Sequence, residues 1–76
     1  MHLSCSYLLG EGVDEKRLIE YIPEIEEKAL CCISQGDTKV TFKCNEFVIM
    51  LVPSSEIKEL ETDDEYCLLI QLLEEN

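Results

Sequence analysis

Residues 47–52, Phe-Val-Ile-Met-Leu-Val, are apolar without interruption. A strand sends successive side chains to opposite faces, so this one carries apolar groups on both. Such a strand belongs in the middle of a sheet with cover on each side. The residues before it alternate instead. Val40, Phe42 and Cys44 point one way, and Lys39, Thr41 and Lys43 the other. A short turn at Asn45-Glu46 separates the two stretches. Together they predict an antiparallel hairpin.

Residues 3–9 also alternate, with Leu3, Cys5, Tyr7 and Leu9 on one face and Ser4, Ser6 and Leu8 on the other. That period predicts a first strand, broken by Gly10-Glu11-Gly12. Asp14 and Glu15 then suit a helix N-terminus. Leu18, Ile22, Ile25, Ala29 and Cys32 recur every three or four residues and form one buried stripe. Pro23 interrupts it, which predicts a kink or two abutting helices, the second beginning at Pro23. Gly36 is placed to end the element in left-handed backbone. After the hairpin, Pro53 stops the strand. Ser54 or Ser55 can cap a second helix beginning near Glu56, with Ile57 and Leu60 inward. Asp63-Asp64 makes a further break.

Residues 65–73 read two ways. A strand buries Tyr66, Leu68, Ile70 and Leu72 on one face. A helix gains a capping box from Thr62 to Glu65, but places Glu74 and Glu75 at its negative end. The strand is preferred because it completes the order β-α-β-β-α-β. That is the ferredoxin-like split βαβ arrangement: an α+β fold with a four-stranded antiparallel sheet, first and third strands central, helices on one face. The helix alternative is a three-stranded sheet with a C-terminal helix.

The chain has 76 residues, long enough for one small domain, residues 1–76. Its 46% hydrophobic content is that of a folded domain rather than a disordered one. Six Lys and Arg against 17 Asp and Glu give a net charge of −11. Cations so few and scattered do not fit direct nucleic-acid or anionic-membrane binding. Residues 1–12 lack the basic start and long apolar core of a secretory signal, and no apolar run is long enough to span a membrane, so the expected location is cytoplasmic. Five cysteines form no Cys-x-x-Cys pair and suit buried apolar positions in a reducing compartment.

Catalytic patterns are missing. His2 is the single histidine, and His2 with Cys5 has no second close pair to complete a zinc site. The acidic run at residues 61–65 has no flanking group to set one carboxyl apart from the others, nor the glycine of a calcium loop. Gly10-Glu11-Gly12 lacks the third glycine of a dinucleotide fingerprint. The expectation is therefore no catalysis, no metal and no cofactor.

What the sequence offers is charge placement. Residues 36–52 are neutral, whereas residues 53–76 hold eight acids against Lys58 alone. With both helices on one sheet face, their outer sides would share a negative surface. Acidity of this kind keeps a small domain soluble. It also suits a basic partner, with carboxylates standing where phosphates normally bind. The candidate partner-binding residues are Glu20, Glu24 and Glu27, then Glu56, Glu59, Glu61, Asp63 and Asp64. The expected function is an inhibitor that mimics nucleic acid against a basic, nucleic-acid-binding protein, of the kind phages or mobile elements encode. The alternative is a regulatory or scaffold subunit that dimerises and binds a small molecule at the dimer seam. A homodimer would use the uncovered sheet face, unless Ser4, Ser6, Lys39, Thr41 and Lys43 keep that face wet.

Overall fold

A computed structural model describes residues 3–74. The chain is α+β: β1 (Cys5–Leu9), α1 (Glu15–Ile19), α2 (Ile22–Ser34), β2 (Val40–Cys44), β3 (Phe47–Pro53), a 3-10 turn at Ser54–Glu56, and β4 (Tyr66–Leu72). The strands form one mixed sheet in the order β1-β4-β3-β2.

The hairpin forms as its alternation predicts. Cys44 pairs with Phe47, leaving a two-residue turn in which Asn45 takes left-handed backbone, φ 55°. Residues 66–72 are strand, so the C-terminal helix alternative does not hold. β4 pairs antiparallel with β3, Ile49 opposite Ile70, and parallel with β1, Tyr7 opposite Leu68.

The order and directions depart from the split βαβ expectation. β1 lies at an edge rather than in the centre, and its pairing with β4 makes the sheet mixed, not antiparallel. The cause is the segment after β3. The helix expected from Glu56 is only a single 3-10 turn, and residues 57–65 are irregular. Ile57 and Leu60 are its only apolar residues between several acids, too little to hold a nucleated helix against the sheet. With no helical crossover to carry the chain past its neighbour, β4 returns beside β3.

α1 and α2 cover one face. Asp14 caps α1 by accepting the Lys16 N–H at 3.0 Å. Pro23 stands in the first turn of α2, where its missing N–H leaves no bond broken, so the helix breaks rather than kinks. At the other end Gly36 has φ +87°; its N–H reaches the Ile33 carbonyl and that of Asp37 reaches Cys32, closing the helix. Leu18, Ile25 and Ala29 meet Phe47, Ile49, Leu51, Leu68 and Ile70 in the core.

The other face carries Leu8 from β1, Leu69 from β4, Met50 from β3 and Thr41 from β2, directly adjacent across the sheet. Among the described residues, no helix is long and apolar enough to cross a membrane.

Candidate acidic interaction surface

Glu24 and Glu27 stand about one turn apart on α2, Glu20 caps the C-terminus of α1 just before the break, and all three are exposed. Burial of Leu18, Ile25 and Ala29 turns the opposite side of the helices outward. Two of the three also make internal contacts. Glu20 bridges Arg17 at 3.2 Å, and Glu24 accepts a bond from the Cys44 thiol at 2.6 Å.

The other five candidates lie on the segment between β3 and β4. Glu56 bridges Lys39 at 2.8 Å. Glu59, Glu61 and Asp63 are exposed. Asp64 turns towards β1: Ser4 Oγ donates to Oδ1 at 2.5 Å, and Ser6 Oγ lies 2.9 Å from Oδ2. Ser4 and Ser6 belong to the sheet face opposite the helices. Asp64 therefore does not join Glu20, Glu24 and Glu27, and neither does a second helix, because none forms. The single negative surface expected from two helices is in fact two groups: one on the helix layer, one on the β3–β4 connection.

The Asp64 contacts make a clasp. Thr62 Oγ1 accepts the Asp64 N–H at 3.1 Å and sits 2.9 Å from Ser6 Oγ. Bonds from Ser4 and then Ser6 hold the Asp64 carboxyl below its usual range, so it is ionised at neutral pH. The clasp ties an irregular segment to an edge strand, and Cys67 beneath it is fully buried although it faces away from the helices.

Two further carboxylates have structural partners that sequence reasoning did not assign. Tyr7 donates its hydroxyl to Glu26. Glu46 takes Arg17 Nε at 2.8 Å, which raises the guanidinium pKa, while Arg17 lies over the Tyr21 ring. The alternation of β1 carried a faint signal for the first of these, since it puts Tyr7 on the helix side opposite the acidic helix. Nothing in the sequence spacing signalled the second.

Cations satisfy few of the acids. Among the described residues, only Glu20, Glu46 and Glu56 form ion pairs. Also among them, no three His, Cys, Asp or Glu side chains gather as a metal site requires. His2 lies outside the described residues. Burial and then the Glu24 carboxylate push the Cys44 thiol up to about 11, so it is protonated at neutral pH and a poor nucleophile.

Compared with protein-family models, curated proteins and solved structures, the chain matches none of them.

Proposed function

We propose that this protein is a small, non-catalytic, cytoplasmic interaction domain that inhibits a basic, nucleic-acid-binding protein by presenting carboxylates in place of phosphates. This is the type of product phages and mobile elements use against host functions. The observation that carries the reading is the exposure of Glu20, Glu24 and Glu27 together on the helix layer, where, among the described residues, most acids lack cationic partners and Glu20 alone of these three is paired, with Arg17. Carboxylates fixed on a rigid element steer a basic partner and set its register with little ordering cost. Glu59, Glu61 and Asp63 add a second group that a large partner reaches around the edge. Glu20, Glu24, Glu56 and Asp64 also have internal partners in Arg17, Cys44, Lys39, and Ser4 with Ser6, so Glu27, Glu59, Glu61 and Asp63 are the freer carboxylates.

The test is affinity capture from cell extract on immobilised protein, followed by elution with short duplex DNA. The expected outcome is retention of nucleic-acid-binding proteins that the duplex displaces. A Glu20→Lys/Glu27→Lys chain, shown to be folded by circular dichroism, loses them, and an Asp37→Lys control keeps them. Retained proteins indifferent to both the duplex and the double reversal would refute the proposal.

A further inference from the structure

The geometry points to the open sheet face as a docking surface for a second copy of this chain, joined about a two-fold axis that runs parallel to the strands. Three observations carry it.

The first is apolar continuity. Leu8, Leu69 and Met50 are adjacent across three strands, with Leu8 37% and Met50 43% exposed. Large apolar side chains adjoining on one face of a small domain mark an interaction site rather than scattered surface residues.

The second is the arrangement of charge around that row. Lys43 and Lys39 stand on the β2 side; Lys39 is bridged to Glu56 and shares a shallow depression with Thr41, Met50 and Val52. Acids stand towards the β1 and β4 side. Asp64 is clasped to Ser4 and Ser6, and Glu11 and Glu74 share a depression with Val48 and Gln71. Lys43 is thus the basic group at one edge, with Lys39 offset by Glu56, and acids stand at the other.

A two-fold axis along the strands lays the β2 edge of one copy over the β1 edge of the next. Lys43 then meets the partner's Glu11 twice, and Lys39, still bridged to its own Glu56, lies over the partner's Asp64. Leu69 meets the partner's Met50 on either side of the axis, and Leu8 meets the partner's Thr41. An axis across the strands would instead stack the β2 edges, lysine on lysine. The charge pattern selects the first.

The third is where the acids go. Sheet-to-sheet packing leaves both helix layers outermost. Glu20, Glu24 and Glu27 of the two copies are then on opposite sides of the sandwich, so the strongest repulsion is kept far from the contact. A monomer could perform the proposed inhibition equally well, so self-association stands apart from it.

A four-stranded face is small beside standard interfaces, so the dimer is expected to be weak. Sedimentation equilibrium from about 10 μM to about 1 mM covers that range. The wild-type chain is expected to pass from monomer to dimer. Met50→Lys, at an exposed position, is expected to weaken association by about tenfold or more. Lys43→Glu and Glu11→Lys are each expected to weaken self-association similarly, because each sets like charges together twice. Mixed in equal amounts, these two chains are expected to form a heterodimer of near wild-type affinity, since each pair is then again opposite in sign. A wild-type chain that stays monomeric throughout would overturn the inference, as would a Met50→Lys chain that dimerises undiminished. A mixture no tighter than its separate components would overturn the stated axis and the charge argument with it.

Discussion

Ser54 shows how one atom can work against a fold. It is 8% exposed, and its Oγ is buried with no hydrogen-bond partner. A buried hydroxyl left unpaired forfeits its hydration without return. Ser54→Ala is therefore expected to stabilise the protein by about 1 kcal/mol, read as a higher urea midpoint with an unchanged slope. Equal or lower stability would mean the hydroxyl is satisfied. Cys44 works the other way. Its folded-state thiol lies at about 11, above the ordinary 9.0, so its contribution to stability is complete below 9.0 and is lost as pH rises towards 11. Thiol labelling near neutral pH is expected to modify exposed Cys31 first and to leave Cys44 and Cys67 for conformational opening. Asp64 has the opposite sign. Its folded pKa is depressed, so the clasp holds above the usual aspartate range and its contribution is lost as pH falls through the lower, folded value. Asp64→Asn is expected to flatten that acid limb in a pH series of urea melts; an unaltered limb would remove the clasp's role.

Turns and caps decide the elements, and most of them are legible in the sequence. Gly36 occupies left-handed backbone with open space around its α-carbon. Gly36→Ala is thus expected to cost about 1 kcal/mol through backbone strain alone, measurable as a fall in Tm; no fall would mean the cap relaxes freely. The hairpin, the first strand and the break at Pro23 follow from local rules, because alternation and a proline act within a few residues. The second helix is where local reading fails. Ser54, Ser55 and Glu56 carry a helix-start signal, but residues 57–65 have only Ile57 and Leu60 to bury. Without that helix the strand order changes too. The residues themselves held a counter-signal: residues 66–70 are apolar on both faces, as residues 47–52 are, whereas β1 alternates with Ser4 and Ser6. Two fully apolar strands belong side by side in the middle, and the half-polar one at the edge. Seven of the eight candidate acids are exposed as expected, and Asp64 is half-buried in its clasp. Their grouping was not legible, because it depends on topology, and Asp64 reached the opposite face only once β4 had taken its place beside β1.

At the scale of the whole molecule, a core centred on Phe47, Ile49, Leu51, Leu68 and Ile70 works against the self-repulsion of a net charge of −11. A domain of this size has only about 4–11 kcal/mol of stability in total. Ile49→Ala, at a fully buried central position, is expected to remove about 3 kcal/mol of it. Added sodium chloride is expected to raise Tm by screening the repulsion between carboxylates; a Tm that falls with salt would mean the ion pairs at Arg17 and Lys39 outweigh it. The same charge, held on the helix layer, is the proposed means of recognition. The most direct measurement is the Kd for the captured partner between about 0.05 M and about 0.5 M salt, for the wild-type and Glu20→Lys/Glu27→Lys chains. Wild-type affinity is expected to weaken by about tenfold or more across that range, with the reversed chain weak throughout; an affinity unmoved by salt and by charge reversal would contradict recognition through the acidic helix layer.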